Sequence, residues 1–361
     1  MNATDPKGNL GAAIEDLAHR VLVPDEQIRT VVAHALDRKT KPRNSLGRLE
    51  DLASTIAAIR RTALPELPIP AIVLAAGDHG ITAEGVSAYP AEVTGQMVLS
   101  FLGGGAAVNV LAREAGARLV LVDAGILAPI DAPGIRQVRL GSGTQSFVAG
   151  PAMTAEQAVA GLVAGSDLAH ELADDGVTLI ALGEMGIGNT TSAAALLAAL
   201  VPADPAEVCG LGTGLDDAGL ARKIAVVERG LALHAPAPSD SVGALAAVGG
   251  FEIAVLAGAI LGACARSIPI VLDGLIVGAA AVVAARIEPR VVGSLIAAHR
   301  SPEPGHRIAL DHLGLEPLLD LQLRLGEGSG AALALPLIRS AVAILRDMAT
   351  FEEAAVTDTG A

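Results

Sequence analysis

The sequence predicts an α/β protein with a Rossmann-like parallel sheet that carries helices on both faces. Short apolar runs rich in β-branched residues alternate with helical segments along residues 61–300, and each run ends in glycine or an acid. Continuous apolar strands of this kind are typical of parallel sheets covered on both sides. A hydrophobic content of 52% permits a large core and excludes disorder on composition.

The two ends of the chain show a different spacing of apolar residues. Apolar residues recur at helical spacing in residues 25–36 and 47–59, so the first 60 residues are predicted to be mainly helical. The turn-rich segment 301–306 predicts a boundary, with helices beyond it at 313–325 and 331–349. We expect residues 1–60 and 301–361 to form a smaller helical domain beside a large α/β domain of residues 61–300.

Acidic residues end four of the predicted strands. The strands are predicted at residues 71–76, 119–122, 177–182 and 268–272, with a further one at 138–140. The acids that follow are Asp78, Asp123, Glu184 and Asp273. Open α/β sheets bind ligands at the carboxyl ends of their strands, so we expect a shared site there. The alternative for any single acid is a helix N-cap.

Charge and composition exclude several classes of function. The net charge is −14, with one Tyr and no Trp, whereas nucleic-acid binders present basic surfaces and stacking aromatics. An anionic surface also repels anionic membranes. Cys209 and Cys264 form neither a disulfide framework nor a CxxC site, and the eight histidines include no HxH or HxxxH pair. We expect no metal site and no nucleic-acid partner.

The hydropathy pattern predicts a cytoplasmic protein without membrane contact. The N-terminal residues lack the charged-then-apolar pattern of a signal peptide. The most apolar stretch, residues 248–265, contains Glu252, and the next, 275–285, is shorter than the roughly 20 residues that a bilayer needs. Buried helices rich in Ala and Gly explain both stretches.

Three glycine-rich loops are candidates for chemistry. Residues 183–191, GEMGIGNTT, follow a strand and open an Ala-rich helix, whose free N–H groups favour a phosphate. Residues 210–214, GLGTG, form a second loop, followed by a helix that reaches Lys223. Residues 326–330, GEGSG, place Glu327 at the start of the last long helix, where a carboxylate could accept a proton from a substrate. Tight turns and helix capping are the structural alternatives, and solvation is the alternative for Lys223.

Long segments in a fixed order resemble one enzyme family, the nicotinate-nucleotide–dimethylbenzimidazole phosphoribosyltransferases. The resemblance covers about residues 41–356. The segments are KPRNSLGRLE (41–50), AGDHGITAEGVSAYPAEVTGQM (76–97), GGGAAVNVLAR (103–113), GPAMTAEQA (150–158), GEMGIGNTTSAAAL (183–196), GTGLDDAGLARK (212–223), GGFEIAVLAGAILGA (249–263), PIVLDG (269–274) and RLGEGSGAALALPLI (324–338). It implies transfer of phosphoribose from nicotinate mononucleotide to dimethylbenzimidazole, giving α-ribazole 5′-phosphate for the lower ligand of cobalamin. It also implies a homodimer, and the chemistry requires no cofactor.

The resemblance assigns roles to individual residues. It implies that Glu327 is the general base, and that Glu184 and Lys223 are charged residues of the catalytic site. It implies that nucleotide and substrate binding involve Gly186, Gly188, Asn189, Gly212, Gly214 and Asp273. Ser87, Tyr89 and Gln96 lie in the segment that lines the pocket for the aromatic base in this family.

Some positions depart from the family's pattern. Asn44 and Gln322 stand where glycine is common, and Leu211 occupies a position that varies. Because Asn tolerates left-handed backbone better than most residues, we expect the turn at Asn44 to survive. None of these changes removes a candidate catalytic group, but they leave the preference among benzimidazoles open.

Three other functions remain open at this point. A phosphoribosyltransferase that uses phosphoribosyl pyrophosphate resembles its relatives in paired acids after a strand and a Thr/Gly phosphate loop. Here the strand at 119–122 is followed by a single acid, Asp123. A non-catalytic nucleotide-binding module would also contain glycine loops, although the glycine-flanked Glu327 favours catalysis. A related phosphoribosyltransferase acting on another base is the remaining alternative.

Overall fold

A computed structural model describes residues 6–201 and 203–357 of the chain. The strands are β1 Pro70–Gly77, β2 Arg118–Gly125, β3 Ile135–Gln137, β4 Leu179–Met185, β5 Ile270–Leu272 and β6 Leu295–Ala297. The helices are α1 Pro6–His19, α2 Glu26–Asp37, α3 Arg48–Arg60, α4 Val93–Leu102, α5 Ala107–Glu114, α6 Ala155–Asp174, α7 Asn189–Leu200, α8 Pro205–Val208, α9 Asp217–His234, α10 Ser241–Val248, α11 Phe251–Ala265, α12 Leu275–Ile287, α13 Pro304–Leu313 and α14 Ser329–Asp347. Two 3₁₀ turns lie at Gly80–Glu84 and Pro289–Ser294.

The six strands form one parallel sheet in the order β3-β2-β1-β4-β5-β6. The order reverses between β1 and β4, which pair from Pro70 with Leu179 to Ala76 with Met185. This is the doubly wound arrangement, whose ligand crevice lies at the strand carboxyl ends beside the reversal. The predicted α/β fold class and the strands within β1, β2, β4 and β5 are confirmed.

The two edge strands differ from prediction. The strand expected at residues 138–140 is wrong, because β3 lies just before it at Ile135–Gln137, and β6 was not predicted. β3 has no buried residue, and β6 follows a 3₁₀ turn. Each edge strand spans three residues, which is too short for a hydrophobic pattern to develop.

The helices near the two ends agree with prediction except in one place. Asp25 caps α2, accepting hydrogen bonds from the N–H groups of Gln27 and Ile28. The helix expected at 313–325 is wrong, because α13 begins at Pro304 and ends at Leu313, before Gly314 in the left-handed conformation. A glycine in this conformation ends a helix after its last turn. The residues that follow are irregular and reach the sheet edge, where the N–H of Leu318 donates to the carbonyl of Ala297.

Helices cover both faces of the sheet with separate hydrophobic clusters. On one face α11, whose residues Phe251 to Cys264 are all buried, packs between α6 and the sheet. On the other face α14 packs against α3 and α5, and its Leu335 shares a cluster with Ile72 of β1. The N- and C-terminal helices therefore join the sheet's own core, and the division at residues 60 and 301 stays a prediction.

Two segments have the length and apolar composition of a membrane-crossing helix. One is Val93–Glu114 and the other is α14. The first is interrupted between α4 and α5, while α14 has ten buried residues, eight of which belong to a core cluster. Core helices meet the same criteria of length and composition, so the burial of α14 accounts for its apolar sequence.

Two unusual backbone conformations agree with the sequence departures. Asn44 has φ 57° and Gln322 has φ 58°, both in the left-handed region. Glycine adopts this region without strain and Asn more readily than other residues. The expected survival of the turn at Asn44 is confirmed.

Candidate active site

A cleft opens at the carboxyl ends of β4 and β5, with about 660 Å³ of empty space including the solvent at its mouth. Its lining residues come from four segments: Glu184–Ile187 with Asn189 and Thr190, Gly212 and Thr213, Gly274–Ile276, and Leu323–Glu327, together with His299, Ser301 and Glu303. All three glycine-rich loops contribute to this lining. The structure thus brings Glu184, Gly186, Asn189, Gly212 and Glu327 around one cavity.

Glu327 occupies a strained position at the start of α14. Its φ is 63°, and the flanking Gly326 and Gly328 have φ 81° and 79°. Asp273 holds this turn in place, since its carboxylate accepts hydrogen bonds from the N–H groups of Gly328 at 3.1 Å and Ala331 at 2.9 Å. Non-glycine residues held in this region cost of order 1–3 kcal/mol and cluster at functional sites.

The carboxyl group of Glu327 is poised between its two protonation states. Burial, followed by the nearby negative charge of Asp273, raises its pKa to about 7. The side chain is 6% exposed, and its Oε2 has no hydrogen-bond partner among the described residues. A carboxylate with a pKa near the working pH suits a general base, which must accept a proton and release it again.

Glu184 lies directly beside this turn, next to Gly326. Burial is the main cause that raises its pKa to about 8, and the charge of Asp273 adds to it. The side-chain amide of Asn189 donates a hydrogen bond to Glu184 Oε2. A Cβ atom on Gly326 would lie 2.5 Å from Glu184 Oε1, so glycine is required where the two loops meet. At neutral pH Glu184 is mostly protonated and able to donate a hydrogen bond.

Lys223 lies behind the cleft wall. Its ammonium group is buried and donates to Thr190 Oγ1 at 2.9 Å and to the carbonyl of Gly210 at 3.1 Å. Burial lowers its pKa, and the nearby Glu303 opposes this shift. Lys223 therefore ties the first two glycine loops together and contributes positive charge beneath them. The solvated alternative for this lysine is wrong.

The second glycine loop is held from the other side by Glu303. The N–H of Gly212, which has φ 57°, donates to Glu303 Oε1 at 2.9 Å. Gly214, with φ 122°, completes the turn but does not line the cleft. The loop is thus fixed between a buried lysine and a partly buried carboxylate.

The residues predicted to contact the aromatic base divide into two groups. Ser87 lines a smaller pocket that adjoins the cleft and shares Asn189 and Gly212 with it, and Gly188, predicted for the nucleotide loops, lines this pocket too. Tyr89 is 51% exposed, and its N–H donates to Ser87 Oγ at 3.2 Å. Gln96 is exposed on α4. Neither Tyr89 nor Gln96 lines either cavity, and their role in binding stays a prediction.

Two of the four strand-end acids serve the loop after β2 instead of the cleft. Asp123 is fully buried, accepts from the N–H of Ile126 at 2.9 Å and pairs with Arg139 at 2.7 Å. Asp78 accepts from the N–H of Leu127 at 2.7 Å. The expectation of a site shared by all four acids is therefore wrong for these two. Asp273 lies behind the cleft wall as the cap of α14, and Glu184 lines the cavity.

Sequence reasoning missed several lining residues. They include Thr190, Leu275, His299, Ser301, Glu303 and Arg324. His299 Nε2 lies 3.5 Å from Asp273 Oδ1, close to the turn that carries Glu327. Ser301 and Glu303 belong to the segment interpreted only as a boundary. The sequence feature that could have identified them is the apolar run just before them, which forms the unpredicted strand β6.

Comparisons with known proteins agree with this geometry. Residues 21–356 match the family described as phosphoribosyltransferase (DBI_PRT). A nicotinate-nucleotide–dimethylbenzimidazole phosphoribosyltransferase from Chloroflexus aggregans is 52% identical over 335 residues, covering 92% of this chain and 95% of the relative. One from Geobacter sulfurreducens is 50% identical over the same coverage. The chain belongs to the nicotinate-nucleotide–dimethylbenzimidazole phosphoribosyltransferase family.

Fold and sequence point to the same family. A crystal structure of a nicotinate-nucleotide–dimethylbenzimidazole phosphoribosyltransferase from Thermus thermophilus superposes with a TM-score of 0.87 at 46% identity. The match covers 92% of this chain and 99% of the Thermus chain. The resemblance in sequence is confirmed, and the protein is a phosphoribosyltransferase. The alternative of a non-catalytic nucleotide-binding module is wrong.

Proposed function

We propose that this chain transfers the 5-phosphoribosyl group of nicotinate mononucleotide to 5,6-dimethylbenzimidazole. The products are α-ribazole 5′-phosphate and nicotinate, with inversion at C1 of the ribose, a step in assembling the nucleotide loop of cobalamin. Its relatives are named for this reaction. The observation that carries the proposal is the buried, unpaired Glu327 carboxyl group at a cleft formed by glycine-rich loops.

One carboxylate meets the needs of this chemistry. The ring nitrogen of nicotinate mononucleotide is already a pyridinium, so nicotinate leaves with the bonding electron pair and needs no proton. One nitrogen of the benzimidazole forms the new bond to C1, and the N–H proton on its other nitrogen passes to Glu327. Direct displacement converts the β-glycosidic bond into the α product. A positioned general base contributes about 10²–10⁴-fold, and alignment of two substrates adds on the order of 7–11 kcal/mol at best.

The substrate subsites follow from the loops. We assign the nucleotide phosphate to the loops of Gly186, Gly188 and Asn189 and of Gly212 and Gly214, because N–H groups at a helix start favour an anion. The buried charge of Lys223 lies beneath both loops and supports this assignment. Glu184 faces the same space and, mostly protonated, would donate a hydrogen bond to a substrate.

The aromatic base is assigned to the space between Glu327 and the smaller pocket beside Ser87. Tyr89 and Gln96 lie on the same chain segment and would reach the base only after a movement of residues 87–96. Asp273 acts indirectly, since it fixes the turn that carries Glu327. Among the described residues there is no group of three or more ligands that could hold a metal ion, and the proposed reaction uses none.

The reaction and its acceptor are tested in one assay. Pure protein is incubated with nicotinate mononucleotide and a panel of dimethylbenzimidazole, benzimidazole, adenine and a phenol. Products are identified by mass and by anomeric configuration. We expect nicotinate release with α-ribazole 5′-phosphate as the preferred product, unchanged by EDTA. Preference for another base would support the alternative of a related transferase, and a need for phosphoribosyl pyrophosphate with Mg²⁺ would contradict the proposal.

The location, oligomeric state and partners of the enzyme are also proposals. We infer a cytoplasmic homodimer with small-molecule substrates and neither nucleic-acid nor membrane partners. The net charge of −14 supports the absence of nucleic acid. Exposed apolar side chains near the N-terminal helices, including Val31 at 55% exposure and Ile69 at 58%, support contact with a second copy.

A further inference from the structure

A buried polar pair lies beneath the cleft at the point where the strand order reverses. His79 is the second residue after β1, and its Nε2 lies 2.7 Å from Glu252 Oε1 of α11. Its Nδ1 shares a hydrogen bond with Ser192 Oγ of α7 at 2.9 Å. Both members of the pair have side chains that are 0% exposed. One imidazole thus connects the sheet, α7 and α11.

Glycines enclose this pair on several sides. They are Gly77, Gly186, Gly188 and Gly250. A Cβ on Gly77 would lie 2.8 Å from Glu252 Oε2, and one on Gly250 would lie 2.7 Å from the same atom. A Cβ on Gly186 would overlap the carbonyl oxygen of Gly77 and lie 3.3 Å from the imidazole. The glycines in these segments therefore leave space for the buried pair as well as for a ligand.

Among the described residues, the pair contacts the lining of the cleft through the loop of residues 186–189. Gly186 and Gly188 rest on His79, and their loop exposes its other side to the two cavities. The same loop carries Asn189, which donates to Glu184. Neither His79 nor Glu252 lines the cleft. The pair can thus affect the substrates through the placement of residues 186–189, and the negative charge of Glu252 also helps to raise the pKa of Glu184.

The pair is a poor device for stability alone. Glu252 Oε2 has no hydrogen-bond partner among the described residues, although it is buried. Buried charged pairs recover their desolvation cost only with good geometry and full hydrogen bonding, and apolar residues of similar volume are often equally stabilising. The pair also fixes an orientation, because its hydrogen bonds hold the imidazole ring in the plane on which the loop of residues 186–189 rests.

We propose that His79 and Glu252 are positioning residues for phosphoribosyl transfer, which hold the loop of residues 186–189 where it binds the nucleotide. This inference rests on the proposed role of that loop in nucleotide binding. Without the pair the loop would lose its support, while Glu327, on the turn that Asp273 holds, would keep its own. Residues 186–189 also line the smaller pocket beside Ser87, so the expected signature is a larger effect on the nucleotide than on the base.

The test uses Ser192→Ala and Glu252→Gln, which nearly preserve side-chain volume. Glu50→Gln is the matched control, because Glu50 is also buried and also has a basic partner, here Lys41 at 2.8 Å, but does not line the cleft. Steady-state kinetics are measured for both substrates, with Tm for each variant. A misplacement of about 1 Å can cost about 10²-fold, so we expect a loss of this order in kcat/KM for nicotinate mononucleotide with Glu252→Gln.

The remaining readouts separate positioning from general destabilisation. The KM for nicotinate mononucleotide should rise in both test variants, and it should rise more than the KM for dimethylbenzimidazole. The control should lower Tm and leave both KM values near those of the wild type. The inference is overturned if the test variants lose Tm but keep their KM for the nucleotide, or if both KM values rise equally.

Equilibrium titration distinguishes failure of this inference from failure of the proposed function. If the wild type releases no nicotinate, the proposed reaction fails, and nicotinate mononucleotide is titrated into the same variants. Weaker binding in Glu252→Gln than in Glu50→Gln then still supports positioning, and equal binding overturns it. A wild type that neither binds nor converts the nucleotide overturns both.

Discussion

Glu327 combines a strained backbone, burial and an unpaired oxygen in one residue. Its φ of 63° is unfavourable for a side chain of this kind, and the burial of its carboxyl group raises the pKa to about 7. Asp273 holds the turn through two backbone hydrogen bonds. Strain and an altered pKa at the same residue indicate function more strongly than either feature alone.

Glu327→Gln tests the general base directly. The amide is nearly isosteric but cannot accept a proton, so we expect kcat to fall by about 10²–10⁴-fold with nucleotide binding largely intact. Steady-state kinetics and titration of nicotinate mononucleotide measure the two effects. Glu114→Gln, an exposed residue at the end of α5, is the matched control. Near-normal turnover of Glu327→Gln would refute the assignment of the base.

The pH profile tests the same residue. Only the ionised carboxylate accepts a proton, so kcat/KM should rise with pH through about 7 and be lost below it. Asp273→Asn removes the neighbouring negative charge, lowers the pKa of Glu327 and should shift this limb to lower pH. Profiles of both proteins are recorded from pH 5 to 9, together with Tm. If kcat/KM rises at the same pH in the wild type and in Asp273→Asn, the charge of Asp273 does not affect the pKa of Glu327.

Glu184 makes the folded protein less stable as pH rises. Its folded pKa of about 8 lies above the ordinary 4.5, so the folded state holds a proton that the unfolded state releases between these values. Stability is therefore greatest at low pH in this window and falls towards pH 8. Glu184→Gln should raise the free energy of unfolding at pH 8 by on the order of 1–3 kcal/mol and lower activity.

Urea unfolding at pH 5 and pH 8 measures this difference. The gain from Glu184→Gln should be larger at pH 8 than at pH 5, where Glu184 is protonated in the folded wild type and largely ionised only when unfolded. A variant that is less stable than the wild type at pH 8 would show that the carboxylate is better accommodated than its burial indicates.

The residue types at the site were predictable where glycines marked them. Glu327 and Glu184 each stand within a glycine-rich loop, and both line the cleft. His299 and Glu303 carry no such local mark, because their approach depends on β6, α13 and the path of the chain between them. Asp123 was misassigned because an acid after a strand also suits a buried pair, here with Arg139.

At the scale of elements, α6 and α11 pack at backbone contact through small residues. A Cβ on Gly165 of α6 would overlap the carbonyl of Val255, and one on Gly258 of α11 would overlap the carbonyl of Leu162. A Cβ on Gly262 would lie 2.5 Å from the carbonyl of Ser166. The abundance of Ala and Gly in the sequence is therefore explained in part by close helix packing.

Gly258→Ala tests this contact. The added methyl group has no space, so we expect a loss of roughly 3 kcal/mol or more in the free energy of unfolding, or failure to fold. Gly11→Ala in α1 is the matched control, because a Cβ there meets nothing within 4 Å and alanine favours helix by roughly 0.5–1 kcal/mol. Urea unfolding measures both, and similar stability of the two variants would contradict close packing.

The strands inside the sheet were predictable and the two at its edges were not. β1 and β4 have eight and six buried residues, and their apolar runs were recognised. β3 and β6 span three residues each and lie at the sheet edges, so pairing with a neighbour, not their own pattern, defines them. The irregular segment after α13 was mistaken for a helix because its leucines recur at helical spacing.

At the scale of the whole molecule, exposed apolar residues near the N-terminal helices remain without a partner in one chain. Val31→Glu should weaken a homodimer that uses this surface by about tenfold or more, since a buried unpaired charge is costly. Leu233→Glu is the matched control, because both side chains are 55% exposed. Light scattering across a dilution series measures the dissociation. Equal dissociation of the two variants, or a monomeric wild type, would contradict this interface.

Helix α14, which begins just after the general base Glu327, extends far from the active site. α14 has 19 residues and a length of about 28 Å, at 1.5 Å per residue. Just beyond its last turn, the carbonyl of Met348 accepts a hydrogen bond from Lys39 Nζ at 2.6 Å. Helix α14 is thus anchored at both ends, by Asp273 at its start and by Lys39 beyond its last turn, so the placement of the proton acceptor draws on two widely separated contacts.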